Sequence, residues 1–315
     1  MNSSSGGIFI AIAKAVLAQQ GVVFGAVYDG KWEVVVSYGE TLEQIRPMMG
    51  SKYMQARTET AFQDAEKFLK TGRLVLFTGS PCQIAGLHGF LRKDYPNLLT
   101  VDFLCHGVPS PGVWRRYLNE LHGGKSVKSV EFRNKSIGWK NYRLVVRTKT
   151  DNETESAVLL SSKFNENAFM RGFLSDVYLR PSCYGCRSKN GRSRSDLTIA
   201  DYWGIERVMP DFDDDKGVSL VIINSERGQQ LFLRLSLDKR ETDLEEARKS
   251  NGGFNENLKP HPKREEFYKR FANENERVDQ IVNNILEVST FKRLSRKFLR
   301  KAKRAKNIIM KKICE

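Results

Sequence analysis

The sequence predicts an α/β fold: a mixed, largely parallel sheet flanked by helices, with an additional small β and loop region that bears cysteines and a C-terminal helical tail. Two continuous apolar runs, residues 74–77 and 98–103, have the length and composition of strands buried on both faces of a sheet. Each run leads through a loop into a helical stretch, and this strand–loop–helix rhythm is typical of a parallel sheet. We assign residues 1–288 of the 315 to this domain and residues 289–315 to the tail.

The segments around these runs are predicted from local patterns. Residues 3–7 form a polar, glycine-rich turn that opens a buried helix, and Gly21 ends that helix. Asp29-Gly30 separates two β-rich segments and is a strong hairpin signal. The other predicted strands cover residues 22–28, 32–37, 127–132, 142–148, 156–161, 197–200 and 218–223. The other predicted helices cover residues 42–45, 59–69, 164–173 and 227–237, with further helix to about residue 288.

The net charge of +15 is concentrated in the tail, because residues 291–315 contain eleven Lys or Arg and one acid. The folded body therefore gives little reason to expect nucleic-acid binding. The tail pattern is that of a basic amphipathic helix, which would lie on an anionic membrane surface, or else be solvated or docked on a partner. No apolar run reaches the ~20 residues of a spanning helix, and none resembles a signal peptide. We expect a cytoplasmic protein. If the tail lies on a membrane, the protein would be peripheral at its inner face.

Five cysteines are present: Cys82, Cys105, Cys183, Cys186 and Cys314. Cys183 and Cys186 form a CxxC pair in a basic loop, a spacing found in zinc knuckles, thioredoxin-type pairs and iron–sulfur sites. Cys82 and Cys105 each follow a predicted parallel strand, and ligands bind at the carboxyl ends of such strands. Four thiolates there would suit an iron–sulfur cluster or zinc. The alternatives are a plain CxxC pair with two small buried thiols, or no site. Cys314 is interpreted as an incidental thiol.

Three glycine-containing loops are candidate phosphate sites. Ser5-Gly6-Gly7 stands at a helix start, where free backbone N–H groups attract anions. Gly50-Ser51-Lys52 adds a hydroxyl and a cation, and Thr78-Gly79-Ser80 follows a strand. None matches GxGxxG or a P-loop, and each alone is typical of an ordinary turn or cap. Together they favour a nucleotide-type cofactor.

Seven short motifs follow one another in a characteristic order. They are Ser4-Ser5-Gly6-Gly7, Gly50-Ser51-Lys52-Tyr53, Gly79-Ser80-Pro81-Cys82-Gln83, Cys105-His106-Gly107-Val108-Pro109-Ser110, Phe132-Arg133-Asn134-Lys135 with Gly138-Trp139, Cys183-x-x-Cys186, and Asp196-x-Thr198 with Asp201-Tyr202-Trp203-Gly204. Over about Ser3 to Gly204 the sequence resembles the coenzyme F420 hydrogenase/dehydrogenase beta-subunit family. The joint pattern is far more specific than any single motif.

The resemblance implies FAD and at least one [4Fe-4S] cluster, with two-electron chemistry at the flavin. It supports the four clustered cysteines as metal ligands. Ser5, Gly6, Gly7, Ser51 and Lys52 would then be flavin-phosphate contacts, with Thr78, Gly79 and Ser80 as further cofactor-binding candidates. Many members of the family carry a ferredoxin-like segment with eight cysteines before the serine–glycine motif. This sequence has no such segment before Ser3, through natural loss, a separate subunit or truncation.

Two residues are candidate catalytic groups. His106 is a candidate proton donor because histidine titrates near neutral pH, and its alternative is a structural bond to a loop carbonyl. Lys135 is a candidate on the substrate side, together with Trp139 and Tyr202, although such aromatics more often pack in a core.

The expected function is an iron–sulfur flavoprotein oxidoreductase that passes electrons between a [4Fe-4S] cluster, FAD and an unsaturated or deazaflavin-type small molecule. A surface-polysaccharide pathway is one setting for it. The expected partner is a ferredoxin-like electron donor or a partner subunit, and nucleic acid is not expected. The alternatives are an electron-transfer subunit without catalysis and a membrane-associated scaffold that has lost activity.

Overall fold

The computed structural model describes residues 3–152, 154–251, 254 and 258–287. Its larger sheet has seven strands in the order β10-β9-β5-β4-β1-β2-β3. These strands are β1 (Val22–Tyr28), β2 (Val34–Gly39), β3 (Ala56–Arg57), β4 (Val75–Gly79), β5 (Leu98–Phe103), β9 (Leu197–Asp201) and β10 (Ser219–Ile223). Four of the six pairings are parallel, and only β1 with β2 and β9 with β10 pair antiparallel. The prediction of a mixed, largely parallel sheet is confirmed.

A second sheet contains three antiparallel strands in sequence order, β6-β7-β8. It is the β part of the predicted additional region, and the cysteine pair follows it along the chain. The strands are β6 (Val127–Asn134), β7 (Arg143–Lys149) and β8 (Ser156–Lys163).

Helices connect the strands and cover the sheets. They are α1 (Ile8–Leu17), α2 (Leu42–Ile45), α3 (Ala61–Lys70), α4 (Pro81–Leu91), α5 (Pro111–His122), α6 (Ala168–Leu174), α7 (Pro181–Tyr184), α8 (Ile205–Val208), α9 (Glu226–Leu233), α10 (Leu244–Ser250), α11 (Arg264–Phe271) and α12 (Val278–Leu286), with 3-10 turns at Arg46–Met48 and Pro210–Phe212. No helix in the described ranges is long and apolar enough to cross a membrane. The predicted tail, 289–315, lies outside the described residues.

The helix predicted over 164–173 begins later, at Ala168, because the Asn167 side chain accepts the N–H of Met170 and caps the helix there. The loop predicted around Cys183 is partly helical, since Pro181 starts the short helix α7. A proline is favoured at the first helical position because it has no N–H to leave unpaired. Both differences come from local capping.

The hydrophobic core lies in several layers. One cluster packs α1 against β1, β4 and β5, and another packs α3 and α4 on the opposite face of the same strands. The largest cluster joins the second sheet to α5, α6, α11 and α12, and Cys183 packs against it. The core around the second sheet therefore also holds Cys183 in place.

Candidate functional site

The predicted motifs converge on the carboxyl edge of the larger sheet. β4, β5 and β9 are parallel neighbours and end at Gly79, Phe103 and Asp201. The loop after β4 leads to Cys82, and the loop after β5 contains Cys105. The sequence prediction that both cysteines follow adjacent parallel strands is therefore correct.

Cys82 is the second residue of α4, and its position is set by a capping box. Ser80 and Gln83 satisfy each other's backbone N–H groups at the start of this helix. The Cys82 Sγ lies 3.2 Å from the Ser80 Oγ, and Cys82 is exposed. The thiol therefore projects from a fixed helix start and is accessible to solvent.

Cys105 is the most deeply placed thiol of the four. Burial raises its pKa to about 12, and the charges of Cys183 and Cys82 raise it in the same direction. Burial also raises the pKa of Cys183, followed by the charges of Cys82 and Cys186. The Cys82 loop and the Cys105 loop follow adjacent strands, and the N–H of Val108 contacts Cys183 Sγ, so cysteines that are distant in the sequence lie at one edge of the sheet.

Gly107 permits the close approach of the two cysteine loops. Its φ is +144°, and a Cβ there would lie 3.0 Å from Leu179 Cδ1 and 3.4 Å from Cys183 Cβ. The next residue, Val108, donates its N–H to Cys183 Sγ over 3.5 Å. A side chain at position 107 would be strained by this φ and would crowd Leu179.

The four thiols have the chemistry of soft metal ligands. Within the described ranges, no group of three or more His, Cys, Asp or Glu side chains is spaced closely enough to hold one metal ion. In a four-iron cluster each iron takes its own thiolate, so the sulfur ligands of a cluster stand farther apart than those of one zinc ion. Four soft thiols are the donor set that such a cluster uses.

A buried cation adjoins the cysteines. Lys189 is 5% exposed, and its Nζ donates to the carbonyl oxygen of His106 over 3.2 Å. Its charge lowers the pKa of both Cys105 and Cys183, against the effect of burial. The sequence showed only that the CxxC pair lies in a basic stretch, and it could not show which cation is turned inward.

His106 faces a carboxylate beside the cysteine loop. Its Nε2 lies 2.8 Å from Asp176 Oδ1, but the orientation does not meet hydrogen-bond geometry, so both atoms are buried without a hydrogen-bond partner. The His106 ring contacts the edge of Phe173. Among the described residues the His106 side chain makes no hydrogen bond to a loop carbonyl, and its partly exposed imidazole lies beside an acid.

The serine–glycine loop meets the loop of Ser51. The backbone N–H and the hydroxyl of Ser51 both donate to Ser4 Oγ, over 2.7 and 2.9 Å. Ser5 Oγ donates to the Val218 carbonyl, and the Gly6 N–H donates to Ser219 Oγ. Gly7 takes a left-handed conformation with φ of +96° and opens α1 without a side-chain cap. Two of the three predicted phosphate loops thus lie together, at the start of a helix.

The third predicted phosphate loop is bonded elsewhere. Thr78 Oγ1 donates to the Phe24 carbonyl, and Ser80 is engaged with Gln83 and Cys82. A Cβ at Gly79 would lie 3.1 Å from Gln83 Oε1. Thr78, Gly79 and Ser80 therefore stabilise the turn that positions Cys82.

Two lysines border the joined loops. The Lys52 ammonium lies among the carbonyls of residues 48, 49 and 50 at 3.1–3.3 Å, and burial lowers its pKa to about 8. The Lys135 Nζ donates to the carbonyls of Ser5 and Lys216, and burial and the charge of Arg133 lower its pKa. Both cations thus stabilise the backbone of the loops.

An ion pair between Arg133 and Asp201 connects the two sheets with the joined loops. The guanidinium donates to both carboxylate oxygens over 2.8 and 3.1 Å, and it also reaches Tyr53 Oη and the Ser4 carbonyl. It thereby links β6, β9 and both loops. Both residues lie within motifs seen in the sequence, but their roles became visible only through these contacts.

The aromatic residues of these motifs are packed. Trp139 stacks on Trp203 with ring centroids 4.7 Å apart, and its Nε1 donates to Asp201 Oδ1. Tyr202 is buried in the same cluster, and its hydroxyl lies 2.5 Å from Thr242 Oγ1. Trp139 and Tyr202 are therefore core residues, and Trp139 also bonds to the acid of the ion pair.

Comparison with known proteins identifies the family. No curated protein matched the chain. Among solved structures, a chain of the F420-reducing [NiFe] hydrogenase complex from Methanosarcina barkeri is similar, with 19% identity, a TM-score of 0.49, and coverage of 74% of this chain and 73% of that one. The family model for the C terminus of the coenzyme F420 hydrogenase/dehydrogenase beta subunit matches residues 72–249. Because that match covers more than half of the 315 residues, the protein belongs to the coenzyme F420 hydrogenase/dehydrogenase beta-subunit family of redox proteins.

Proposed function

We propose that the protein is an iron–sulfur flavoprotein oxidoreductase that binds a [4Fe-4S] cluster and FAD. Cys82, Cys105, Cys183 and Cys186 would hold the cluster. The observation that carries the proposal is the meeting of the cysteine loops at one edge of the sheet. The Cys82 and Cys105 loops follow adjacent parallel strands, and the N–H of Val108 in the Cys105 loop donates to Cys183 Sγ.

Metal binding explains the cysteines better than thiol chemistry does. A thiol with a pKa of about 12, as in Cys105, is almost wholly protonated at neutral pH and is a poor nucleophile. A bound metal displaces that proton, so a buried thiol is a good ligand even where it is a poor reagent. Oxidoreductase membership favours iron over zinc, which has no redox chemistry.

FAD would bind at the joined serine loops. The uncapped start of α1 leaves backbone N–H groups and the positive end of the helix dipole for phosphate oxygens. The hydroxyls of Ser4 and Ser51 bond to each other next to this helix start, and the ammonium of Lys52 lies in the loop of Gly50. Ser5, Gly6, Gly7, Ser51 and Lys52 are therefore the proposed phosphate contacts, while Thr78, Gly79 and Ser80 would act through Cys82.

When bound, the cluster supplies one-electron transfer and the flavin supplies two-electron transfer. The chain's own residues would hold these groups close together and shield them from water. His106 would be the proton donor, and its Nε2 faces the carboxylate of Asp176 at 2.8 Å. Lys135 would hold the Ser5 carbonyl in place on the substrate side. The reducing partner would be a ferredoxin-like protein or a subunit, and the substrate a small unsaturated or deazaflavin-type molecule.

Flavin affinity should depend on pH through Lys52. The pKa of Lys52 is about 8, so its ammonium is charged at neutral pH and neutral well above pH 8. Attraction for the FAD pyrophosphate is present below that pKa and is lost as pH rises through it. We expect FAD to bind the apoprotein about tenfold more weakly at pH ~9.5 than at pH ~7, measured by flavin fluorescence quenching.

Lys52→Gln is the matched control for this pH effect. It should bind FAD more weakly at pH ~7 and show little further loss at pH ~9.5. A wild-type affinity that is constant over this range, or a Gln variant with the wild-type pH profile, would remove Lys52 from the site.

The proposed function is tested by purifying the full-length protein without oxygen and recording its visible spectrum, iron content and flavin content. We expect flavin bands over a broad cluster absorbance, with about four irons per chain. Colourless protein that takes up neither iron nor FAD on reconstitution would refute the proposal.

A further inference from the structure

Lys189 is a deeply buried lysine, and few groups around it offset its positive charge. It is 5% exposed, and one carbonyl oxygen, that of His106 at 3.2 Å, is its hydrogen-bond acceptor. It forms no ion pair with a carboxylate in the described part of the chain. An ammonium group can donate three hydrogen bonds, so two donors of Lys189 have no acceptor among the described residues.

Such burial is unfavourable unless an anion offsets it. Removing an ammonium ion from water costs several kcal/mol in a protein interior, and buried charges are therefore paired or bound to metal sites. The carbonyl that Lys189 contacts belongs to His106, the residue that follows Cys105, and Lys189 itself lies three residues after Cys186. The anion that offsets this buried charge would therefore be the thiolate set of the same loops.

We propose that Lys189 is the counter-cation of the cysteine site and sets the reduction potential of the cluster bound there. This inference rests on the proposed function. Reduction would add one electron to the cluster and make the site more negative by one charge. A fixed positive charge in a poorly solvated site stabilises the more negative state more, so it raises the potential.

Lys189 differs from the other cations of its loop because it is buried and they are exposed to solvent. Arg187 is next to Cys186 in the sequence but is exposed, as are Arg192 and Arg194. Solvent and salt screen exposed charges, whereas a buried charge acts through a weaker dielectric. Arg187 is therefore a matched control, since its removal takes the same charge from the same loop.

The test is a redox titration of the full-length, cluster-loaded protein, followed by electron paramagnetic resonance. Lys189→Gln keeps a donor for the His106 carbonyl but removes the charge. We expect it to lower the equilibrium constant for cluster reduction by about tenfold or more, which is ~59 mV per tenfold for one electron. Lys189→Arg and Arg187→Gln should each change it by less than about threefold.

An unchanged potential in Lys189→Gln with full iron content would overturn the inference and leave the proposed function intact. If Lys189→Gln takes up no cluster, the iron content of Lys189→Arg is the deciding measurement. A cluster retained in Lys189→Arg would show that the site needs the positive charge. Loss of the cluster from both variants would show that the shape of the side chain matters instead, and the inference would fail. Wild-type protein that binds no iron would instead refute the proposed function.

Discussion

Cys105→Ser protein purified without oxygen is expected to contain less than about one iron per chain, against about four in the wild type. Burial raises the pKa of Cys105 most among the four thiols, to about 12. A serine hydroxyl has nearly the same size but is a hard oxygen donor that does not replace a soft thiolate. The measurement is iron by mass spectrometry together with the visible spectrum.

Cys314→Ser is the matched control for this experiment, because it removes a thiol from the tail rather than from the site. It should retain wild-type iron content and colour. Full iron content in Cys105→Ser would contradict the four-thiolate site, and equal loss in both variants would show that the effect is not specific to the carboxyl edge of the sheet.

Asp201→Asn is expected to lower the free energy of unfolding by about 3–5 kcal/mol, the usual cost of removing one partner of a buried ion pair. The Arg133 side chain is 3% exposed, and both of its terminal nitrogens donate to Asp201. Asparagine keeps the size but leaves the guanidinium charge buried without a counter-ion. Urea unfolding followed by circular dichroism measures the change.

The exposed pair of Lys216 and Asp214 provides the control for this prediction. Its atoms are 2.9 Å apart, but both side chains are more than half exposed. Asp214→Asn should cost less than about 1 kcal/mol, because solvent screens such pairs. Equal losses in Asp201→Asn and Asp214→Asn would show that the Arg133 pair does not hold the two sheets together. Since Arg133 also reaches the Ser4 carbonyl, Asp201→Asn should weaken FAD binding as well.

Most of the fold follows from the sequence because its signals are local. The apolar runs at 74–77 and 98–103 could only be strands buried on both faces, and they became β4 and β5. The hairpin at Asp29-Gly30 joins β1 and β2 as predicted, since glycine and aspartate favour the turn. Ends of elements were less accurate, as at Ala168, because one capping side chain decides where a helix begins.

The parts of the site that escaped prediction depend on long-range contacts. Arg133 follows Phe132, and a regular strand would turn these two side chains to opposite faces. A register irregularity between Glu131 and Asn134 accompanies the burial of both, and the partner of Arg133 lies 68 residues away. Likewise, Lys189 is one of several cations in its loop, and only the folded chain shows that it alone among them is buried.

Native mass spectrometry of the anaerobically purified full-length chain tests the central claim most directly, since it weighs what each molecule carries. We predict one main species whose added mass equals one [4Fe-4S] cluster plus one FAD, and a Cys105→Ser species that has lost the cluster increment. A main species with the bare polypeptide mass after reconstitution, or with a single zinc ion in place of the cluster, would contradict the account.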